Sequence, residues 1–363
     1  MRLSVLTSWY LRNERWISTL SLFGGFVFDS LTLKRVDLLW ENLWVIGLLV
    51  IAALGIILIN LNENQKNRFS AKVYRIIHFW LIIVIQFAFG GLLSSFLVFY
   101  FRSSTLSVSW PFLLVLATIF VLNEFLKHHY TRLVFQISVL FFSIYSFAIF
   151  IVPVILHRLG YVTFILSGLL SVVVLVVFVF CLRYIARERF RESKNWLFLS
   201  IIGITVLINT LYFTNLIPPI PLSLKSAGVY HSIVRNADGN YTAMAERKWF
   251  LDFFKTYETF NNTGSLPIYV FSSIFSPTNL NVQVLHEWQH YDETAGEWIT
   301  TNQTSLSIVG GRDGGFRTYS IKATNVSGLW RVNVKTLRGQ LIGRIKFKVK
   351  NVDATPDLVP SSL

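Results

Sequence analysis

His286, Glu287 and His290 stand in the order H-E-x-x-H within the pentapeptide HEWQH. That spacing is the zinc-peptidase pattern. On a helix, imidazoles four residues apart meet at one metal ion and the carboxylate between them reaches the metal-bound water. The residues leading in, NLNVQVL from Asn279, are β-branched and alternate, and a Tyr-Asp-Glu-Thr-Ala-Gly turn follows. On a strand, His286 and His290 would share a face about 13 Å apart at ~3.3 Å per residue, too far to chelate one ion. The pattern therefore predicts a strand that carries Trp288 into a core, with the zinc peptidase as the alternative reading.

The next residues with chemistry are basic. Arg344, Lys346, Lys348 and Lys350 alternate along one stretch, with Arg331, Lys335 and Arg338 nearby. Such a row suits anionic headgroups, acidic glycans or an acidic partner. Lysine-rich strands also block edge-to-edge association, and a solvated face is the ordinary expectation. The run Gly310–Gly315 has neither the Lys-Ser/Thr of a phosphate loop nor a following helix, so it reads as a hairpin. Cys181 is the only cysteine, which leaves no intrachain disulfide and no cysteine-based zinc site. The Asn-x-Ser/Thr triplets at Asn240, Asn261, Asn302 and Asn325 matter only in a host that glycosylates secreted proteins. No catalytic constellation and no cofactor motif emerges.

What must position these residues is a chain of two parts. Its 363 residues are 53% hydrophobic with a mean hydropathy of +0.53, too apolar for an ordinary soluble protein. The apolar runs end near Ile217, where Pro218, Pro219 and Pro221 intervene. Six spans are expected before that point: Leu43–Leu61, Ile76–Phe101, Leu106–Leu122, Leu133–Leu156, Val162–Leu182 and Trp196–Ile217. Gly90/Ser94 and Gly91/Ser95 form small-xxx-small pairs suited to close helix contact. Trp16–Leu33, within an N-terminal segment 1–42, reads as an extra or re-entrant membrane helix or an interfacial segment. Gln86, Asn123, Glu124, Gln136 and Asn209 are the polar residues of the spans. A transporter, the third functional reading, would line an aqueous cavity with Gln86, Gln136 and Asn209.

The formal charge of +14 is concentrated in the span-rich part. Up to Leu224 there are 18 Lys/Arg against 8 Asp/Glu, leaving 15 against 11 beyond it. The loops on one side hold Lys66, Arg68, Lys72 and Arg75, then Lys127 and Arg132, then Arg183, Arg187, Arg189, Arg191 and Lys194. The other side has only Arg102 and Arg158 between spans. Cationic loops stay in the cytoplasm, so the chain after Ile217 is expected outside it. The charge sets orientation, and nucleic acid is not an expected partner.

Beyond a Pro-rich linker, 218–227, a β domain is expected over 228–350, followed by a flexible tail, 351–363. Asp238-Gly239 marks a hairpin between Val229–Arg235 and Asn240–Ala245. Trp249, Phe250, Phe253, Phe254, Tyr257 and Phe260 recur at helical spacing, which predicts one amphipathic helix over about 246–260. From Pro267 the period becomes two, with apolar and polar residues alternating around Trp288, Trp330 and Phe347. That pattern describes an antiparallel β-sandwich of the immunoglobulin-like kind.

His286-x-Trp288, Gly310-Gly-Arg312, Arg317-Thr-Tyr-Ser320-x-Lys322, Gly328-x-Trp330-Arg331-Val332-x-Val334 and Gly339-Gln-Leu341-x-Gly343-x-x-x-Phe347-x-Val349 occur in a characteristic order. Over Pro267 to Val349 the sequence resembles the domain of unknown function DUF2914, in the version fused behind a multi-span membrane region. The resemblance implies a small extracytoplasmic β domain in the envelope of a Gram-negative bacterium and implies no reaction. His290 is not part of that pattern. The expected protein is thus an inner-membrane protein presenting a periplasmic binding or scaffolding module, its partner a periplasmic protein or an anionic glycan or lipid. Arg312, Arg317, Lys322 and Arg331 are its candidate ligand contacts, while His286, Trp288 and Trp330 are structural.

Overall fold

The computed structural model describes residues 20, 23–35, 37–64, 70–104, 106–125, 127–237, 239–247, 257–264, 266–277, 280–310, 314–323, 326–354 and 356–363. The chain divides into two compact units that adjoin in sequence between Ile217 and Pro218. The first is helical and the second is built of β-sheet.

Among the described residues six long helices follow the apolar runs: α1 (Leu39–Asn64), α2 (Ala71–Arg102), α3 (Leu106–Phe125), α4 (Leu133–Leu156), α5 (Tyr161–Ile185) and α6 (Arg187–Phe213). Five contain stretches long and apolar enough to cross a membrane: Leu39–Glu63, Val73–Arg102, Leu133–Leu156, Tyr161–Ile185 and Arg187–Phe213. The expected span at Leu106–Leu122 is α3, whose apolar stretch, Val108–Asn123, is shorter. Helix α6 starts at Arg187, well before the expected Trp196, because Arg, Glu and Lys propagate a helix as readily as apolar residues do. It stops at Phe213, ahead of the prolines.

Helices α1 and α2 approach closely where side chains are missing. A Cβ on Gly91 would lie 2.9 Å from Leu48, and one on Gly55 would lie 2.6 Å from Ile85. Ser94 and Ser95 are buried beside them, and the Ser95 hydroxyl donates to the Gly91 carbonyl at 2.8 Å. The small-residue pairs therefore do make a helix contact, with Gly55 as the unforeseen counterpart. Ahead of α1 the chain is helical over 23–32, and Arg102 at the end of α2 donates to the carbonyls of Ser30 and Lys34 at 2.6 and 3.0 Å. Of the expected segment Trp16–Leu33, residues 16–19, 21 and 22 lie outside the described residues.

Among the described residues the second unit has eleven strands: β1 (Ser223–Tyr230), β2 (Ser232–Arg235), β3 (Tyr241–Glu246), β4 (Glu258–Asn262), β5 (Pro267–Phe275), β6 (Asn281–Asp292), β7 (Glu297–Val309), β8 (Phe316–Ala323), β9 (Gly328–Thr336), β10 (Leu341–Asn351) and β11 (Leu358–Ser362). They form sheets ordered β4-β10-β9-β6-β7, β1-β5-β8 and β11-β3-β2. Every pairing is antiparallel except β4 with β10. Strand β5 is buried on both faces. Its Ser272 reaches His286 of the five-stranded sheet, and its Phe271 packs with Ile233 and Ala243 of the small sheet. Between the two larger sheets lies the main core, where Trp288 meets Trp330 and Phe347 edge-on at ring separations of 6.5 and 6.2 Å.

Four expectations need correction. Tyr257 precedes, and Phe260 lies within, β4 rather than a helix, and Glu246 ends β3; the middle of that expected helix, 248–256, lies outside the described residues. The tail expected to be flexible carries β11, paired with β3 from Leu358↔Glu246 to Ser362↔Thr242. The linker is shorter than 218–227, because β1 begins at Ser223. The hairpin turns as expected, with Gly239 at φ +81° and Arg235 opposite Tyr241, but Val229 belongs to β1.

Candidate functional site

The alternation of β6 sends its residues to two different places. His286 and Trp288 enter the core between the two larger sheets, while Glu287 and Gln289 point to the opposite face. His286 is fully buried, with Nε2 2.8 Å from the Ser272 hydroxyl and Nδ1 2.9 Å from that of Ser320. Trp288 Nε1 donates to the same Ser320 oxygen at 3.0 Å. If Ser320 then donates to Nδ1 and Nε2–H donates to Ser272, a neutral imidazole is satisfied at both nitrogens. Burial pushes the His286 pKa down to about 4.

The motif HEWQH is thus split by its strand. His286 bonds two serines, Glu287 bonds Lys335 and Asn333 on the other side, and His290 packs at a tilt against Trp330 with its Nε2 3.1 Å from the Ser327 carbonyl oxygen. Among the described residues no group of three or more His, Cys, Asp or Glu side chains is placed to hold a metal ion.

The outer face of the five-stranded sheet holds the more extensive polar arrangement. Strand register aligns Gln303, Glu287, Asn333 and Arg344 in one row across β7, β6, β9 and β10. Each neighbour in the row is hydrogen-bonded to the next. Gln303 Nε2 donates to Glu287 Oε1 at 3.4 Å, Asn333 Nδ2 to Glu287 Oε2 at 2.8 Å, and Arg344 Nε to Asn333 Oδ1 at 2.6 Å. A second row runs Thr300, Gln289, Arg331 and Lys346. There Gln289 donates to Thr300 at 2.9 Å and accepts from Arg331 Nε at 2.6 Å. Asn333 ties the rows together through a 3.1 Å bond to Gln289.

Charge on this face is one-sided. Lys335 pairs with Glu287 at 2.5 Å, and among the described residues Arg331, Arg344 and Lys346 stand on the same face with Glu287 as its carboxylate. Burial would raise the Glu287 pKa, but donors from Lys335, Asn333 and Gln303 and the Lys335 charge outweigh it and hold the carboxyl below its ordinary value. Partial burial lowers the pKa of Arg331 and of Arg344, and their mutual repulsion lowers Arg331 further. Both guanidiniums are oriented through Nε alone among the described residues, with Arg331 also lying 4.2 Å from the centre of the Trp298 ring. Among the described residues their terminal N–H groups make no hydrogen bond, and Tyr257 lies beside this face with its ring 5.7 Å from Lys346 Nζ. A preset pair of guanidiniums is suited to carboxylate, sulfate or phosphate oxygens.

The candidate ligand contacts do not gather in one place. Arg331 is in the second row. Lys322 sits on β8, half-buried with Nζ 5.7 Å above the Trp330 ring, where burial lowers its pKa. Arg317, also on β8, lies on the other face of that strand and donates to Asn240 at 2.8 Å. It borders a pocket of about 230 Å³ with Arg235, Tyr241 and Gly310. Arg312 lies outside the described residues. Asn333, Gln289 and Gln303 escaped the sequence reading, although polar residues two apart on three successive strands were the available signal.

In the helical unit the polar residues serve one another. Arg189 donates to Asn60 at 2.8 Å, Asn60 to Gln136 at 3.0 Å, and Gln136 to the Tyr130 carbonyl. The Tyr130 hydroxyl then donates to Asn123, and Asn209 donates to Tyr145 at 3.3 Å and to the Thr205 carbonyl at 2.8 Å. A cavity of about 230 Å³ here is lined chiefly by apolar side chains such as Leu93, Phe135 and Phe142, with Asn123 and Tyr130 at its wall.

Residues 281–349 match the family model described as "Protein of unknown function (DUF2914)", a stretch that runs from the first residue of β6 almost to the end of β10. No curated protein matches the chain. Among solved structures it is similar to the Pseudomonas fluorescens alkylpurine DNA glycosylase AlkC bound to DNA containing an abasic site analog. That likeness is at 8% identity and a TM-score of 0.22, over 85% of this chain and 98% of the other, too low to carry an argument.

Proposed function

We propose that this chain, with DUF2914 at its C-terminal side, is a multi-span protein of a bacterial inner membrane whose immunoglobulin-like β unit projects into the periplasm. There it binds an anionic partner on the outer face of its five-stranded sheet. The observation that carries the reading is the pair of hydrogen-bonded rows on β6, β9 and β10. Gln289 and Asn333 fix Arg331 and Arg344 by their Nε atoms, and four cations face outward with one carboxylate among them. Oriented guanidiniums bind without first losing side-chain freedom, which lowers the cost of association.

Placement in the membrane is supported by the five long apolar helices and by the loop arginines and lysines. The partner is a carboxylate- or phosphate-bearing envelope component, and the role is that of a scaffold or receptor module rather than a catalyst. A photo-crosslinking residue in place of Lys346 in living cells tests this. Capture of a defined partner that disappears in an Arg331→Gln/Arg344→Gln variant is the expected result. Undiminished capture by that double variant would place binding elsewhere.

A further inference from the structure

Where α1 ends and α4 and α6 begin, the helical unit opens into a polar cavity of about 580 Å³. Glu63, Thr131, Arg132, Arg189, Glu192 and Trp196 line it, together with the first residues of α4. Arg189 is fixed there by the amide network behind it, donating to Asn60 at 2.8 Å and to the Thr131 carbonyl. Asn60 and Gln136 are fully buried, so the guanidinium stands half-buried at a set position. The side chains of Arg132 and Glu192 are exposed at the rim and make no hydrogen bond or ion pair among the described residues. Arg132 also precedes α4, whose first turn receives no side-chain cap, and open N–H groups at a helix start add to the pull on an anion.

One face of α6 leads from this cavity toward the apolar one. Arg189, Ser193, Trp196, Ser200, Ile204 and Leu207 follow at steps of three or four residues and so share a face. The first three line the polar cavity, and the last two line the apolar cavity of about 230 Å³. Between them the hydroxyls of Ser200 and Ser138 lie 2.6 Å apart and join α6 to α4. Helix α4 repeats the gradient, with Val134 in the polar cavity and Ser138 and Phe142 in the apolar one. From Trp196 to Ile204 the helix advances about 12 Å at 1.5 Å per residue. A small ion has no use for the apolar end, and a hydrocarbon has none for the arginines. An amphiphile matches both.

We infer that this slot between α4 and α6 holds one phospholipid whose head carries a phosphate and a primary amine. The phosphate sits between Arg189 and Arg132, the amine beside Glu192, and one acyl chain follows α6 toward Phe142 and Leu207. Charge complementarity selects the head. Among the described residues the polar cavity is lined by two cations, Arg132 and Arg189, and two carboxylates, Glu63 and Glu192, which suits a zwitterion. A purely anionic head would leave the carboxylates facing it. Glu63 already accepts from the Tyr74 hydroxyl at 2.7 Å and lies 3.2 Å from His78 Nδ1, so Glu192 is the carboxylate left for the amine. The depth agrees as well: Trp196 is 69% exposed at this end, where amphipathic indoles mark the head-group level of a bilayer. The inference rests on the membrane-spanning reading of the helical unit and is independent of the anionic partner of the β unit.

The test is native mass spectrometry of the full chain in detergent, mixed with equal amounts of phosphatidylethanolamine, phosphatidylglycerol and phosphatidylcholine. One phosphatidylethanolamine per chain should be retained several-fold over the other two, since the glycerol head has no cation and the choline head no N–H to donate. Two exposed side chains are changed so that folding is spared. Arg132→Gln should weaken retention of all three lipids several-fold, whereas Glu192→Gln should keep binding and erase the preference for the ethanolamine head. Excess glycerophosphoethanolamine, the same head without acyl chains, should not displace the lipid. Equal retention of the three lipids, a preference for phosphatidylglycerol, indifference to both substitutions or displacement by the chain-free head would each overturn the inference. A chain that stays dispersed without detergent would instead refute the membrane-spanning reading on which it rests.

Discussion

Acidification should weaken the β unit through one residue, His286. Its imidazole is neutral between Ser272 and Ser320, with a pKa near 4 against an ordinary 6.5. The unfolded chain takes up a proton below about pH 6.5 and the folded chain does not, so stability is full above that value and is lost as pH falls toward 4. At 1.36 kcal/mol per pKa unit, the loss between about pH 7.5 and pH 5 is about 2 kcal/mol. Glu287 and Glu246, held below their ordinary values, add their own losses only at lower pH, so this window reports His286. With m near 1–3 kcal/mol/M, the urea midpoint should fall by roughly 0.7–2 M. The assay is urea unfolding of the full chain in detergent, followed by tryptophan fluorescence, for wild type and His286→Asn. The variant starts less stable but should lose about 2 kcal/mol less across the window. Equal losses in the two proteins would falsify the buried neutral histidine.

Glu287→Gln should cost about 1–3 kcal/mol by stranding Lys335 among other cations, visible as a lower unfolding midpoint, and elemental analysis of the wild type should find no stoichiometric zinc. Gly343→Val should destabilise by about 1–3 kcal/mol or more, because a Cβ there would fall 2.2 Å from Leu224 of β1; unchanged thermal stability would contradict the packing. A reporter that fluoresces only in the cytosol, fused after Leu363, should be dark, and a bright one would invert the proposed orientation. Ser320→Ala should cost more than Ser272→Ala, since it removes the partner of both His286 and Trp288 rather than of His286 alone; equilibrium unfolding of the two variants ranks them.

Much of the architecture was legible because burial imposes a period. The alternation at Val284, His286 and Trp288 placed β6 and its core face correctly, and the same rule placed β9 and β10. Local patterns failed where partners distant in sequence decide the conformation. The aromatic spacing around Phe260 resembled a helix, yet Phe260 lies in β4, fixed by parallel pairing with Val349 some ninety residues on. The strand at Leu358–Ser362 has weak patterning of its own and exists through its register with β3. The site shows the same division. The cations were visible as residue types, whereas the bonds that orient them need the register of β6 on β9 and β9 on β10, which composition does not encode.

The placement of β8 has a practical consequence for anyone dissecting the molecule. It lies inside the family-matched stretch, yet its sheet partners β5 and β1 lie upstream of that stretch. A gene fragment started at Asn281 would leave β8 without its neighbouring strand and His286 with one serine instead of two. The smallest segment able to hold its own shape therefore has to start ahead of Ser223, about sixty residues before the recognisable signature begins.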